Sequence, residues 1–379
     1  MDKPIYLDYA AATPIDPAVL QDMQPYFADH FYNPSATYLA ADQVRKDLES
    51  ARGRVAHWLG ARPSEVVFTA GGTEANNLAI RGVMEQFTDA NLVVSAIEHE
   101  SVLAAAHQYD CREADVTSAG IVAVDGLISL IDDQTVLVSV MYANNEVGTI
   151  QPIRQISLAL EAIRKTRAKN GNHRPLYFHT DAAQAAAYLD LHTARLGVDL
   201  MTINAGKIYG PKQVGALFVG SNVQLKPQVL GGGQERGIRS GTENVAGAIG
   251  LAKALDLVQE RRHTEVARLQ QLQKIFFNLI EQAFPKAIIN GSRRQRLPNN
   301  VHITFLGQDN ERLIFELDAK GILCAAGSAC SASSDEPSHV LKAMGKTDVE
   351  AQSSVRFTMG LHTTEADIRK TAMCLMSIM

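Results

Sequence analysis

Lys207 is the residue of this 379-residue chain whose setting most clearly suggests covalent chemistry. It lies in the stretch TINAGKIYGPK, after an apolar run and with no acidic residue nearby in the sequence. Most lysines lie at exposed surfaces, whereas an amine at the end of an apolar strand is a candidate for a Schiff base with a carbonyl compound. Asp181, in LYFHTDAAQ, follows another apolar run in the same way. A carboxylate in that place either begins a helix or pairs with a buried cation.

Three further stretches place candidate ligand-binding residues after apolar runs. TAGGTEANN contains Gly72 and Thr73, which suit either an ordinary tight turn or a helix N-terminus that binds phosphate. SAIEHES contains His99 and MYANNEVG contains Asn145, and each of these alone fits a structural role equally well. Taken together, an anion cradle, a ring-stacking candidate, a carboxylate and a lysine are what pyridoxal 5′-phosphate requires of a protein.

Cys330 has unusual neighbours for a cysteine. The segment GILCAAGSACSASSDEPSHVL surrounds it with Gly, Ala and Ser, without the bulky apolar residues that flank a core cysteine. A segment of small residues has little packing to restrain it, so a thiol there is a candidate for a nucleophile that moves. The alternative is a small side chain that fills space in a turn. The other cysteines, Cys111, Cys324 and Cys374, lie in ordinary or apolar segments and are predicted to be structural.

The elements that must position these residues alternate between strands and helices. The predicted strands are apolar and β-branched and lie at 65–70, 91–97, 135–142, 176–180, 198–204 and 215–220. Such alternation is typical of an α/β fold with a mostly parallel sheet covered by helices on both faces. Ligands of these sheets bind at the carboxyl ends of the strands, where the candidate residues fall. We expect a large domain at 17–255 and a smaller α+β domain made of 1–16 plus 256–379.

The composition indicates an ordinary globular protein. Its residues are 46% hydrophobic and 20% charged, and a formal net charge of −5 argues against binding nucleic acid through phosphates. No apolar run approaches the roughly 18 residues of a membrane span, and the start lacks a signal-peptide pattern. Four cysteines without C-x-x-C spacing favour neither a disulfide scaffold nor a zinc site. We therefore expect a cytoplasmic protein without a metal. For the basic cluster Arg293, Arg294 and Arg296 we expect a solvated loop, and the alternative is a docking site for an acidic partner.

The longer motifs resemble those of the cysteine desulfurases of the class V aminotransferase type. The matching stretches extend over essentially the whole chain and include YLDYAAATP, YNPSA, TAGGTEANN, NNEVG, TDAAQ, GGGQERGIRSGTEN, GSACSAS and SVRF. The resemblance implies a fold-type I pyridoxal-phosphate enzyme that has a mostly parallel seven-stranded sheet and forms a homodimer. It also implies conversion of L-cysteine to L-alanine, with the sulfur kept as a persulfide. An acceptor protein of iron–sulfur cluster assembly or of tRNA thiolation would then take the sulfur.

The same resemblance implies roles for individual residues. Lys207 is the amine that binds the cofactor, Asp181 is the partner of the pyridine nitrogen, and Cys330, in a longer loop, is the sulfur acceptor. Arg356 is the anchor of the substrate carboxylate, with help from Asn33. Thr242 corresponds to a residue that reaches the phosphate across the dimer. The remaining implied contacts are those to the ring and the phosphate, from His99, Asn145, Gln184, Gly72, Thr73 and Asn204. His99 is also a candidate catalytic residue that helps to activate the Cys330 thiol.

The chain departs from the family pattern at three places. The family has Ser-x-His-Lys at the lysine, whereas this chain has Asn204-Ala205-Gly206-Lys207, so two phosphate-binding side chains are replaced. Gln234 and Tyr38 each stand where the family has a histidine. We therefore expect the phosphate contacts to be rearranged. Two alternatives stay open: a selenocysteine lyase or another lyase or aminotransferase of the same fold, and a non-catalytic relative that serves as a binding partner.

Overall fold

The computed structural model describes residues 4–327 and 337–379. The strands of this part of the chain are β1 (Ile5–Tyr6), β2 (Val66–Thr69), β3 (Asn91–Ser95), β4 (Asp110–Ala114), β5 (Thr135–Ser139), β6 (Tyr177–Asp181), β7 (Leu200–Asn204), β8 (Gly215–Val219), β9 (Ile288–Ile289), β10 (Asn300–Thr304), β11 (Ile322–Leu323) and β12 (Ser354–Thr358).

The helices of the same part are α1 (Pro17–Met23), α2 (Pro25–Ala28), α3 (Leu39–Leu59), α4 (Gly72–Met84), α5 (Glu100–Ala106), α6 (Val124–Ser129), α7 (Ile153–Lys169), α8 (Thr193–Leu196), α9 (Val245–Glu260), α10 (Arg262–Ala283), α11 (Asn310–Ala319), α12 (His339–Ala343), α13 (Asp348–Gln352) and α14 (Glu365–Ile378). None of these helices is both long enough and apolar enough to cross a membrane.

The central sheet of the described residues has seven strands in the order β2-β8-β7-β6-β5-β3-β4. Strands β7, β6, β5, β3 and β4 pair in parallel, whereas β8 is antiparallel to both of its neighbours. The predicted mostly parallel seven-stranded sheet is thereby confirmed. Strand β4 is absent from the predicted set because its sequence, DCREA, is largely polar, as an edge strand with one neighbour permits.

Successive side chains of the central strands enter two separate apolar cores. In β3, Leu92 and Val94 join the core beneath α4 and α5, while Val93 joins the core beneath α3, α7 and α9. This alternation follows from the strand geometry, which points neighbouring side chains to opposite faces. Both faces are covered by helices, so the inner strands consist almost wholly of buried residues.

The two smaller sheets are formed mainly by the C-terminal part of the chain, and one of them includes the N-terminal strand β1. Strands β12, β10 and β9 form an antiparallel sheet, and residues of α10, α11 and α14 contribute to the core beside it. Strand β1 pairs in parallel with β11, so the N-terminal segment lies against the C-terminal part. The helical run predicted from about Val245 to Phe284 is divided into α9 and α10 at Arg261. The domain boundaries at 17–255 and at 1–16 plus 256–379 stay a prediction.

The basic cluster at 293–296 is only partly solvated. Arg293 is exposed and pairs with Glu281 at 2.5 Å. Arg296, in contrast, is 6% exposed and donates hydrogen bonds to the Ser292 carbonyl and the Asn300 side chain. Burial, together with the charge of Arg293, lowers the pKa of Arg296 to about 9. The expected solvated loop was therefore wrong for Arg296, which attaches this segment to β10.

Candidate active site

A pocket lies at the carboxyl ends of the parallel strands, where the chain leaves the sheet. Residues 10 and 11 of the N-terminal segment form one side of it. Most of the site residues predicted from the sequence line this pocket, namely Gly72, Thr73, His99, Asn145, Asp181, Gln184, Asn204, Lys207 and Arg356. They lie at or shortly after the carboxyl ends of β2, β3, β5, β6 and β7 and, for Arg356, on β12. The fold thus brings together residues that are far apart in the sequence.

Lys207 lies in a short 3₁₀ turn that begins directly after β7. The Asn204 side-chain oxygen starts this turn by accepting a hydrogen bond from the backbone N–H two residues later, at 3.1 Å. The Nζ atom of Lys207 donates to the carbonyl oxygens of Ala10 and Ala11 at 2.8 and 2.6 Å. Gln184 donates to the same Ala10 oxygen at 3.0 Å. The N-terminal segment therefore helps to hold the amine at the pocket wall.

Asp181, the last residue of β6, is 7% exposed. Its carboxylate accepts hydrogen bonds from Asn76 Nδ2 at 2.7 Å and from the Ala183 N–H at 2.8 Å. Asn76 Nδ2 also donates to Ser101 Oγ at 2.8 Å, and that hydroxyl contacts His99 Nδ1 at 2.8 Å. A single chain of hydrogen bonds therefore orients the carboxylate and the imidazole.

Asn76 and Ser101 line the pocket but are not among the residues predicted from the sequence. Asn76 follows Gly72 by four residues on α4, so the helical repeat places both on one face. That spacing within TAGGTEANN is the signal that identifies Asn76 in retrospect. Ser101 has no comparable signal, since a serine at the start of a helix is common. The Oδ1 atom of Asn76 is buried without a hydrogen-bond partner in the described structure.

The turn between β2 and α4 has the geometry of an anion cradle. Gly71 has a φ of +125°, a conformation that favours glycine, and it is the N-cap residue of α4. The first N–H groups of a helix have no acceptor within it, and the helix dipole favours an anion there. A Cβ added to Gly72 would lie 3.3 Å from Asn204 Nδ2, so the Asn204 amide lies beside the cradle. The rearranged contacts expected from the sequence thus have a candidate donor in Asn204.

Arg356 lies on β12 and is 1% exposed. Its Nη2 atom forms an ion pair with Asp8 at 2.7 Å, and Nη1 donates to the Asn145 carbonyl oxygen at 3.0 Å. The Nε atom is buried and has no hydrogen-bond partner among the described residues. A guanidinium that is fixed from two sides and borders a pocket is suited to bind a carboxylate through paired hydrogen bonds.

Two buried titratable groups lie next to the pocket residues. The ring nitrogens of His179 in β6 hydrogen-bond to hydroxyl groups on β5 and β7, and burial lowers the pKa of His179 to about 4. Glu98 is fully buried and accepts a hydrogen bond from the Met141 N–H at 2.5 Å. Burial raises the pKa of Glu98 well above its ordinary value, against the opposing effect of Met141, and the charge of Asp181 raises it further. The low pKa of His179 keeps its imidazole neutral at neutral pH.

Two of the predicted site residues that the structure describes, Asn33 and Thr242, do not line this pocket. Asn33 is exposed, and its side chain accepts a hydrogen bond from the Ser35 N–H at 2.9 Å. Thr242 lines a separate hollow with Gln213 and Asn244. Cys330 lies outside the described residues. The roles of Asn33, Thr242 and Cys330 therefore stay predictions.

The pocket residues fit pyridoxal 5′-phosphate by their chemistry. The cofactor requires an amine for its aldehyde, a carboxylate for its pyridine nitrogen and N–H donors for its phosphate. Lys207, Asp181 and the first turn of α4 supply these groups within one pocket. The amides of Asn145 and Gln184 also line it and suit the ring oxygen.

Two cysteines of the described structure are poorly suited to nucleophilic chemistry. Burial, with smaller contributions from neighbouring acids, raises the pKa of Cys111 and of Cys324 to about 12 in each case. Both are therefore protonated thiols near neutral pH, and the thiolate is the reactive form. Cys374 is partly buried and packs against the larger core, as predicted.

Comparison with known proteins shows similarity to one family over nearly the whole chain. The model of the aminotransferase class-V family matches residues 5–370, a range that contains every residue lining the pocket. A cysteine desulfurase IscS of Dictyoglomus turgidum is 39% identical over 378 residues, which cover 98% of this chain and 93% of that protein.

Solved structures are similar over the same extent. A NifS-like protein superposes with a TM-score of 0.90 at 30% identity and covers 99% of both chains. SspA in complex with cysteine has a TM-score of 0.79 at 32% identity, over 94% of this chain and 98% of that one.

Proposed function

We propose that this chain, which belongs to the aminotransferase class-V family, is a pyridoxal 5′-phosphate-dependent cysteine desulfurase. The observation that carries the proposal is the convergence of Lys207, Asp181 and Arg356 on one pocket. The substrate follows from two relatives, one named a cysteine desulfurase and the other determined with cysteine bound. The net reaction converts L-cysteine and an enzyme thiol into L-alanine and an enzyme persulfide.

Each part of the cofactor has a candidate partner in the pocket. Pyridoxal phosphate, when bound, supplies an electron sink that acidifies the Cα–H bond of an amino acid and weakens its carbon–sulfur bond. We assign its aldehyde to Lys207, its pyridine nitrogen to Asp181 and its phosphate to Gly72 and Thr73 at the start of α4. His99, oriented by Ser101, is assigned to the face of the ring.

The substrate is held and deprotonated by residues from different parts of the fold. Arg356 binds the substrate carboxylate, because its guanidinium is already fixed by Asp8 and by the Asn145 carbonyl. With cofactor and substrate bound, the Lys207 amine would be the general base that accepts the Cα proton. The carbonyls of Ala10 and Ala11 keep the lysine amine near this position.

Cys330 is assigned the sulfur-acceptor step. Its thiolate bonds to the substrate sulfur, the carbon–sulfur bond breaks, and the product carbon takes the electron pair and then a proton. The burial of Cys111 and Cys324, which raises the pKa of each to about 12, supports Cys330 as the nucleophile. The resulting persulfide passes its outer sulfur to an acceptor protein, which we place in iron–sulfur cluster assembly or in tRNA thiolation.

The setting of the reaction follows from its chemistry and from the family. A persulfide carrier needs a reducing compartment, so we place the protein in the cytoplasm. We also propose a homodimer in which Thr242 of one subunit reaches the cofactor phosphate of the other, and in which Asn33 assists at the substrate site. The large domain comprises 17–255, and 1–16 plus 256–379 form the smaller one that carries Cys330.

The alternative of a selenocysteine lyase has less support, because the relatives over the full chain are named cysteine desulfurases. An aminotransferase would need no acceptor thiol. Comparing turnover of cysteine with turnover of selenocysteine and of amino-group acceptors tests these alternatives directly.

The proposed function is tested with Lys207→Ala and Cys330→Ala, assayed for alanine and for sulfide in the presence of L-cysteine and dithiothreitol. Both variants are expected to lose sulfide release, and only Lys207→Ala is expected to lose the cofactor absorbance. Borohydride reduction followed by mass spectrometry should place the pyridoxyl adduct on Lys207. Lys212→Ala and Cys111→Ala are the matched controls and should retain both properties. An adduct at another residue would contradict the assignment.

A further inference from the structure

Glu146, in the NNEVG stretch, is a buried carboxylate that has no part in the proposed chemistry. It is 1% exposed. Its backbone N–H donates to the Asn144 side chain at 2.9 Å, and its carbonyl oxygen accepts from the Asn300 side chain at 2.8 Å. The main chain of Glu146 is therefore fixed on both sides, and its buried carboxylate extends from a fixed point of the backbone.

This carboxylate lies next to the chain on both sides of the segment that contains Cys330. Ser338 Oγ donates a hydrogen bond to Glu146 Oε2 at 2.5 Å. Gly327 precedes the Cys330 segment, and a Cβ added to it would lie 3.5 Å from the same oxygen atom of Glu146. The described residues that precede and follow Cys330 thus meet at one carboxylate oxygen.

The start of α12 has a second contact with a residue next to the pocket lining. Ser338 Oγ accepts from the Leu341 N–H at 3.2 Å as the N-cap of α12, so its own hydrogen is directed to Glu146. The next residue, His339, donates from Nε2 to the Glu98 carbonyl oxygen at 3.0 Å. Glu98 directly precedes His99, so these contacts connect the residues after Cys330 with the element that carries the imidazole.

We infer that Glu146 is a positioning residue: its hydrogen bond to Ser338 holds the chain that follows the Cys330 segment beside Gly327, which precedes that segment, and so keeps the two ends of the segment close to each other and to the pocket. This inference rests on the proposed role of Cys330 as the sulfur acceptor. A segment whose ends are held confines its thiol to a smaller volume and so raises the effective concentration of the thiol at the substrate sulfur. Loss of the contact should slow sulfur transfer and leave substrate binding intact.

The experiment is a single turnover of the cofactor-loaded enzyme with L-cysteine, in which the Cys330 persulfide is followed by mass spectrometry. Glu146→Ala should slow persulfide formation by about tenfold to a hundredfold, the range for a misplaced reacting group. The cofactor absorbance, the KM for L-cysteine and the thermal midpoint should change little. Glu146→Gln should keep most of the rate, because its amide oxygen still accepts from Ser338.

Ser338 variants test the same contact without changing Glu146. Ser338→Ala should slow persulfide formation as Glu146→Ala does, whereas Ser338→Thr keeps the hydroxyl and should restore the rate. The double variant Glu146→Ala/Ser338→Ala should be no slower than the slower single variant. A wild-type rate of persulfide formation in both alanine variants would overturn the inference. A parallel fall in cofactor absorbance and in the rate of persulfide formation would also overturn it.

Sulfide release that survives in Cys330→Ala would instead overturn the proposed function.

Discussion

Arg356 combines deep burial with hydrogen-bonding capacity that the described structure does not use. Its guanidinium is held by Asp8 and by the Asn145 carbonyl, while Nε lacks a partner among the described residues. Asp8 already balances the charge of Arg356, so the feature that favours a further anion at the pocket is the buried Nε–H, which is left without an acceptor among the described residues. An amino acid substrate brings that anion as its carboxylate.

Replacing Arg356 by lysine should therefore weaken substrate binding selectively. Arg356→Lys keeps the positive charge and loses the paired donors, so the KM for L-cysteine should rise about tenfold to a hundredfold, as expected for a charge-assisted hydrogen bond. Cysteamine has the amine and thiol of cysteine without the carboxylate, and its affinity measured by cofactor absorbance should stay unchanged. Equal weakening of both ligands would contradict the assignment of Arg356 to the carboxylate.

Glu98 gives a prediction about the pH dependence of stability. Burial raises the pKa of Glu98 above its ordinary value of 4.5, so the folded protein keeps a proton that the unfolded chain releases. The stability contributed by this group is complete below pH 4.5 and falls as the pH rises towards the folded-state pKa. Glutamine keeps the acceptor for the Met141 N–H and has no proton to lose.

Glu98→Gln should consequently gain stability relative to the wild type as the pH is raised from weakly acidic to neutral. The gain is at most about 1.4 kcal/mol per pH unit, the free energy of one linked proton. The free energy of unfolding in urea, measured across this pH range, gives the comparison. The exposed Glu260 is the matched control, and Glu260→Gln should show no such trend. A difference between Glu98→Gln and wild type that does not vary with pH would refute the buried-acid argument.

At the scale of elements, the β2–α4 turn depends on the glycine conformation of Gly71. An alanine there has to adopt a φ of +125°, and such a backbone conformation costs about 1–3 kcal/mol in a residue with a side chain. Gly71→Ala should therefore lower the free energy of unfolding and also weaken pyridoxal-phosphate binding, measured by fluorescence titration.

Gly53 supplies the matched control for this prediction. It lies inside α3, and no atom would lie within 4 Å of an added Cβ. Gly53→Ala should raise the free energy of unfolding by roughly 0.5–1 kcal/mol, because alanine favours a helix over glycine. If both alanine variants shift stability in the same direction, the special role of the β2–α4 turn is disproved.

The elements that could be predicted from the sequence are those whose pattern is dictated by burial. Strands β3, β5 and β6 are buried on both faces, so they appear as apolar runs, and Asp181 was recognisable because it ends such a run. Strand β4 lies at an edge and is largely polar, so no pattern marked it. The division of the helical run at Arg261 likewise leaves no glycine or proline signal in the sequence.

The contacts of the site that could not be predicted join residues distant in the sequence. Asp8 and Arg356 are separated by 348 positions, and Ser338 and Glu146 by 192. Residue type and spacing indicate which groups lie at the end of a strand. The residue with which each group forms a hydrogen bond or ion pair depends on how the smaller sheets pack on the central one. The resemblance to a family pointed to Arg356, whereas the ion pair that fixes its guanidinium required the structure.

At the scale of the whole molecule, the exposed apolar residues in the segment between β8 and α9 support the proposed homodimer. Leu230 is 82% exposed and Val229 is 41% exposed, and Thr242 of the same segment is exposed as well. Adjacent large apolar side chains that are exposed to water are more frequent at surfaces that another chain covers. The proposed homodimer would cover these side chains, and Thr242 lies in the same exposed segment.

A mixed dimer distinguishes a contact across the interface from one within a subunit. A Lys207→Ala subunit is paired with a Thr242→Ala subunit by co-expression with two different tags and tandem purification. If Thr242 serves the other subunit, one site of this dimer receives both intact residues, because Lys207 comes from one chain and Thr242 from the other. That site should bind pyridoxal phosphate as tightly as wild type and release sulfide, whereas the Thr242→Ala homodimer binds the cofactor weakly. Activity of the mixed dimer no higher than that of the Thr242→Ala homodimer would show that each Thr242 acts within its own subunit, or not on the cofactor at all.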